Sequence, residues 1–232
     1  MIKNTCLKTV ILLGLAVLMI LGAGCTASGE ADSPSAEPYT TVSVDDIKES
    51  LADRGPITVG LDLDFTTFIT YSVYYYGKTN IDGPDGTNLY GDDPMNSSEF
   101  KSAVNNEFVG QYLPKHAAAD VISMHKDRGD NVIFITRKLS SPEERISDYI
   151  GAIFGIEDPV VIFTDNLSKT PYLNAENVSV YYGDSDTDIT DAVAAENCTP
   201  YRFMRSAVTV SYYGAGYNPG DYNESVVENS DI

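Results

Sequence analysis

The chain is short of cysteine, histidine and basic residues, and each shortage narrows what it can be. Its three cysteines are Cys6, Cys25 and Cys198. The first two fall in an N-terminal leader, so Cys198 stands alone in the remainder and no internal disulfide can staple it. The two histidines, His116 and His125, lie on a predicted helix away from every motif and read as packing or surface groups. Lys and Arg number 15 against 34 Asp and Glu, a net charge of −19. Such acidity repels a phosphate backbone and argues against nucleic acid as a held partner. It does not exclude small phosphate esters, because surface charge is screened over about 8 Å in physiological salt and a local cation can override it. The one long apolar run, Thr9 to Ala23, is too short for a membrane span, and no internal repeat is visible.

That run has another reading. Lys3 and Lys8 flank its start, giving the charged n-region and apolar h-region of a secretory signal over residues 1–24. Gly22-Ala23-Gly24 then leads into Cys25, as in lipoprotein signals whose cysteine becomes the lipid-bearing first residue, although Leu21 lies one place further from Cys25 than usual. Lipidation and plain secretion both stay open. Either makes the protein exported and extracytoplasmic, and the first would anchor it to the outer face of the cell membrane. Loss of residues 1–24 leaves 13 basic against 34 acidic residues, a net charge of −21. Residues 25–41, rich in Ser, Ala, Glu and Pro, read as a disordered tether. Residues 42–232 are one ordinary domain. Five Asn-x-Ser/Thr sequons begin at Asn96, Asn166, Asn177, Asn197 and Asn223, and matter only in a cell that glycosylates exported proteins.

Within that domain strands alternate with helices. Ser43-Val44-Asp45-Asp46 opens a capped helix, and a strand over 57–63 follows. Residues 67–112 are aromatic, Gly-rich and irregular, too long for a simple connection, and are expected to form an insertion capping a site. A helix from Pro114 to Lys126 leads to a strand over 131–135. Ser141-Pro142-Glu143-Glu144 opens another helix, ending near Gly155. Strands are expected at 160–163 and 178–182 with a short helix between them, then a helix over 188–196 and a last strand over 201–204. The acidic tail after Gly220 reads as solvated surface or an oligomer contact. The alternation predicts an α/β, Rossmann-like parallel sheet with helices on both faces.

Ligands in such sheets gather beyond the carboxyl ends of the strands. Two strands here end in acid: Ile57–Leu61 runs into Asp62-Leu63-Asp64-Phe65-Thr66, and Val178–Tyr182 into Gly183-Asp184-Ser185-Asp186-Thr187-Asp188. Adjacent carboxylates repel and resist desolvation, so they need a cation or a task. The pattern suggests a divalent metal and a phosphate at one sheet edge. By contrast Asp82–Asp85 and Asp92-Asp93 read as solvated turns. Tyr74–Tyr76 and Tyr212-Tyr213 read as core or interface residues, the functional alternative being an aromatic wall, with Tyr74 as a contact, that stacks a nucleoside or aryl leaving group. Arg202 and Arg205 are expected in structural ion pairs.

These residues resemble the haloacid dehalogenase superfamily of phosphohydrolases and, within it, the exported class B acid phosphatases. The ordered elements are Asp62/Asp64/Thr66, the strand-ending Thr136, Lys169, and Asp184 with Asp188. Further similarity to the class runs through Val42-Ser43-Val44, Gly60-Leu61-Asp62, Met124-His125, Gly129-Asp130, Val161-Ile162-Phe163, Tyr182–Asp186 and Glu228-Asn229-Ser230. The resemblance implies Mg²⁺ held by the Asp62 side chain, the Asp64 backbone carbonyl and Asp184, with Asp188 binding metal-bound water or orienting Lys169. It implies Asp62 as the nucleophile that becomes an aspartyl-phosphate and Asp64 as the proton donor and acceptor. Lys169, Thr136 and Lys138 would contact the phosphate of a small phosphomonoester, nucleotides included. An acidic pH optimum and a homotetramer are also implied. Two positions depart from the class pattern: Phe65 fills a slot often acidic, and Arg137-Lys138 replaces the usual Gly-Arg. A class C-like lipoprotein phosphatase and a relative that binds phosphate or metal without turnover are therefore the alternative readings.

Overall fold

The structure, a computed structural model, describes residues 39–232. The expected signal, Cys25 and the tether through residue 38 lie outside the described residues. In chain order the elements are β1 (Thr40–Val42), α1 (Val44–Ser50), β2 (Thr58–Leu61), β3 (Phe68–Ile69), α2 (Tyr71–Thr79), α3 (Ser98–Asn105), β4 (Leu113–Pro114) and α4 (His116–Arg128). There follow β5 (Asn131–Thr136), α5 (Ile146–Phe154), β6 (Val160–Phe163), α6 (Thr170–Ala175), β7 (Val178–Gly183), α7 (Asp186–Ala194), β8 (Thr199–Arg202), α8 (Ala207–Tyr213) and β9 (Ser225–Val227).

Alternation along the strands builds two cores. In β5, Val132 and Phe134 join a cluster with Val59, Leu61, Val180 and Tyr182, while Ile133 and Ile135 join Val178 and Tyr181 in another. The first cluster is closed by Ile47 of α1, Val121 and Ile122 of α4, and Ile146 and Ile150 of α5. The second is closed by Leu173 of α6 and Ala192 of α7. Strands buried on both faces favour parallel pairing, and the seven-stranded sheet, in order β1-β9-β8-β7-β2-β5-β6, is parallel throughout. The expected α/β layering, with helices on both faces, is present. Its switch point is β2, with β5 on one side and β7 on the other. There the chain order reverses, which opens a crevice at the carboxyl ends.

Several boundaries follow local chemistry. Ser43 and Asp46 form the expected capping box at α1. The α5 helix starts later than its Ser-Pro signal suggests: residues 141–144 form a turn, and the Glu144 carboxylate accepts from the Ile146 and Ser147 amides. Its side chain does the work expected of Ser141, because an acid beside free N-terminal amides is favoured. The stretch 67–112 is more regular than expected. It contains α2 and α3, and its ends are clasped by the antiparallel β3–β4 pair.

The largest departure is the C-terminal tail. It is not a solvated surface, for β9 inserts between β8 and β1, so the strand ending at Arg202 is not the last. A buried charge network explains this. Arg202 is fully buried and donates to Glu224 Oε1 at 2.8 Å, to Asp186 Oδ1 at 3.1 Å and to the Asp184 carbonyl. Burial pushes the Glu224 carboxyl up, but the amide of Gly220 and the Arg202 guanidinium outweigh it and hold the group below its ordinary value. Removing one partner of a buried pair strands the other. Arg202→Met should therefore cost about 3–5 kcal/mol in urea unfolding; a loss under about 1 kcal/mol would show that the tail docks without this pair. A lowered carboxyl stabilises the fold fully above its unfolded pKa and loses that contribution as pH falls through the folded one, so the gap between wild type and variant should narrow on acidification below about pH 4.

Candidate active site

Pairing brings the two acidic strand ends together. Leu61 of β2 lies beside Tyr182 of β7 and Phe134 of β5, so Asp62, the Gly183-Asp184 corner and Thr136 meet at one edge. The loop after β2 is tight: the Thr67 hydroxyl donates to the Asp62 carbonyl at 2.5 Å and the Thr67 and Phe68 amides donate to the Leu63 carbonyl. It turns Asp62 and Asp64 into a cavity of about 470 Å³ whose lining also includes Thr136, Lys138, Lys169, Asp184 and Asp188. The elements that position these side chains lie far apart in sequence.

Lys169 is the hub. It caps α6, is 1% exposed, and its Nζ donates to Asp62 Oδ1 at 2.5 Å, Tyr181 Oη at 2.6 Å and Asp188 Oδ1 at 2.7 Å. Burial alone would lower its pKa, but Asp188 and Asp62 outweigh burial and hold it above the ordinary value. Asp188 has a second task. Its other oxygen accepts from the Ser185 amide and hydroxyl, closing the capping box that starts α7. Gly183 permits this fit, since a Cβ there would overlap the Asp188 side chain. Asp188 thus contacts both Lys169 and the start of α7.

Asp62, Asp184 and Asp188 each present an oxygen within 4.8 Å of the others, all three residues being buried. Burial, reinforced by Asp188, Asp184 and Asp64 and opposed by Lys169, pushes the Asp62 carboxyl well above the ordinary range. Burial also raises Asp184, against the pull of Arg205. Asp188 goes the other way, held low by Lys169 and Ser185 in spite of burial. An all-oxygen set under this mutual repulsion fits a hard divalent cation. The Asp64 side chain points elsewhere, to Lys138 Nζ at 2.9 Å and the Tyr74 hydroxyl at 3.1 Å, and its buried Oδ1 has no hydrogen-bond partner. Lys138 donates to the Tyr74 and Tyr112 hydroxyls at 3.0 Å each; burial would lower it, but Asp64 and the two phenols outweigh burial and keep it charged.

Other contributors carry no local signal in the sequence. Arg205 forms the expected ion pair, with Asp184 Oδ2, and is also a wall of the cavity, donating to the Tyr213 carbonyl, with its guanidinium 5.4 Å from the Phe65 ring and 4.9 Å from that of Tyr217. Phe65, in left-handed backbone at φ 61°, also stacks on Tyr213 at 5.6 Å. The unusual residue that follows the two acids is thus the floor on which Arg205 rests. Arg137, the other departure, donates to Asp191 Oδ2 at 2.9 Å. Thr66 donates to Asp184 Oδ1 at 3.0 Å.

Charge relief gives a test. With the Asp62 carboxylate disfavoured by burial and three neighbouring acids, Asp62→Asn should stabilise the protein in EDTA by about 1 kcal/mol, a rise in Tm of roughly 2–4 °C. A lower Tm would mean that the Lys169 contact outweighs the repulsion.

No family model matches the chain. Among curated proteins it is 32% identical over 203 residues to the class B acid phosphatase of Salmonella typhi, covering 84% of this chain and 81% of that one. It is 31% identical over 198 residues to that of Marinomonas sp. (strain MWYL1), covering 82% and 78%. Among solved structures it is similar to a substrate-bound phosphoserine phosphatase complex, with a TM-score of 0.43, 13% identity, and coverage of 77% of this chain and 96% of that one, a likeness too loose to argue from.

Proposed function

This chain belongs to the class B acid phosphatases, hydrolases of phosphoric monoesters, and we propose that it cleaves small organic phosphomonoesters by attack of Asp62 on phosphorus in the presence of Mg²⁺. One observation carries the reading: Lys169 bridges Asp62 and Asp188 at 2.5 and 2.7 Å, beside Asp184, in a cavity with Thr136 on its wall. Asp62, Asp184 and the Asp64 backbone carbonyl would hold Mg²⁺, which supplies the positive charge that lets an anionic nucleophile approach an anionic ester.

The protein's own groups do the rest. The Lys169 ammonium offsets charge on the nucleophile, and the Thr136 hydroxyl and Lys138 bind phosphoryl oxygens. An Asp62 oxygen forms a bond to phosphorus as the ester P–O bond breaks, leaving an aspartyl-phosphate. Asp64 gives its proton to the departing oxygen. To carry that proton it must first part from Lys138, and a phosphate dianion drawing the ammonium to itself allows the exchange. Water then attacks the aspartyl-phosphate, Asp64 takes back a proton, and inorganic phosphate leaves with Asp62 restored.

Phe65, Tyr74 and Tyr213 line the cavity and suit an aryl or nucleoside leaving group. The leader pattern of residues 1–24 supports an extracytoplasmic enzyme, lipid-anchored or secreted.

Hydrolysis of p-nitrophenyl phosphate with and without EDTA tests the proposal. Turnover should need added Mg²⁺, peak below pH 7 as a protonated Asp64 requires, and fall by about 10³-fold or more in Asp62→Asn. Activity that survives in the variant, or a profile flat to pH 9, would remove Asp62 or Asp64 from its role. Wild-type turnover no higher than the variant's would favour a protein that only binds phosphate or metal.

A further inference from the structure

Basic residues are scarce in this chain, yet six of them line the cavity of the candidate site: Lys78, Lys101, Arg137, Lys138, Lys169 and Arg205. Four are matched by carboxylates. Arg137 pairs with Asp191, Lys138 with Asp64, Lys169 with Asp62 and Asp188, and Arg205 with Asp184. Lys78 and Lys101 form no ion pair among the described residues. In a protein of net charge −19, two lining ammonium groups with no carboxylate partner among the described residues are free to meet an anion that enters the cavity.

Their placement is built in. Lys78 follows Gly77 on α2 and Lys101 follows Phe100 on α3. The Phe100 ring packs where a side chain on Gly77 would be, so the two helices close on each other directly beside both lysines. Lys78 Nζ rests 4.3 Å from the centre of the Tyr213 ring, and that ring stacks on Phe65, next in sequence to Asp64. Lys78 therefore stands beyond two stacked rings, Tyr213 and Phe65, the second belonging to the residue that follows Asp64. As a cation in the last turn of α2 it would be favoured there in any case. No such reason covers Lys101, which lies mid-helix.

We propose that Lys78 and Lys101 form a second anion subsite, making the preferred substrate a phosphomonoester whose ring-bearing leaving group carries a further oxyanion, carboxylate or phosphate, on the side of the ring away from the scissile phosphate. The inference rests on the phosphatase reading of the inner site and specifies its substrate class. An ammonium pair at a half-open mouth adds a modest increment per contact and is weakened by salt.

Binding of two unreactive phosphonates by calorimetry tests it: 4-carboxybenzylphosphonate and its neutral 4-carbamoyl counterpart, on wild type and on the Lys78→Ala/Lys101→Ala double variant. Wild type should bind the carboxylate about fivefold more tightly, the difference shrinking in 0.5 M salt, and the double variant should bind the two alike. Equal binding by wild type, or a preference that persists in the double variant, would overturn the subsite. Hydrolysis of p-nitrophenyl phosphate, which lacks the second anion, should stay within about threefold of wild type in the double variant. Failure of the wild type to hydrolyse it would count against the phosphatase reading, while the phosphonate comparison would still decide the subsite.

Discussion

Everything at the head of the sheet depends on one buried ammonium. Lys169 touches Asp62, Asp188 and the Tyr181 hydroxyl, and the Tyr181 hydroxyl in turn donates to the Ile135 carbonyl on β5. Through these contacts a side chain at the start of α6 ties together the ends of β2, β5 and β7 and the first turn of α7. Taking that many charges out of water is tolerated only when each meets an opposite charge or a hydrogen bond. Four acids around the cavity face three inner cations, so the balance stays one positive charge short. The shortfall is concentrated where Asp62 and Asp184 lie nearest each other. That is where a divalent cation would fit.

The surrounding architecture keeps this tension in place. A parallel sheet buried on both faces holds its strand ends rigidly, and the C-terminal strand β9 secures the far side through Arg202 and Glu224. Arg202 also donates to the Asp184 carbonyl, and Lys115 reaches the Met204 and Ser230 carbonyls. The segment carrying Arg205 is thereby fastened from both ends.

Much of this was legible in the sequence because the signals are local. The continuous apolar run of β5, the Ser43–Asp46 box and Gly155 after α5 each act within a few residues. The acids at the ends of β2 and β7 were recognisable because carboxylates so placed need a partner. What stayed hidden depends on long-range pairing. Nothing near Ser225–Val227 announces a strand inserted between β8 and β1; its partners are 23 or more residues away, in Tyr201–Arg202 and Thr40–Val42. Arg205 read as an ordinary ion-pairing residue because Asp184 and Phe65 are distant in sequence. The helices in 67–112 were obscured by clustered tyrosines and interspersed glycines, where tertiary packing of Gly77 on Phe100 overrides weak helical preference.

The most direct measurement is a crystal structure of the protein soaked with Mg²⁺ and beryllofluoride, a mimic of the phosphoryl group. The account predicts the fluoride adduct on an Asp62 oxygen, the metal in contact with Asp62 and Asp184, and the Lys169 ammonium within hydrogen-bond reach of the adduct. An adduct on another residue, or a metal seated away from those two carboxylates, would contradict it.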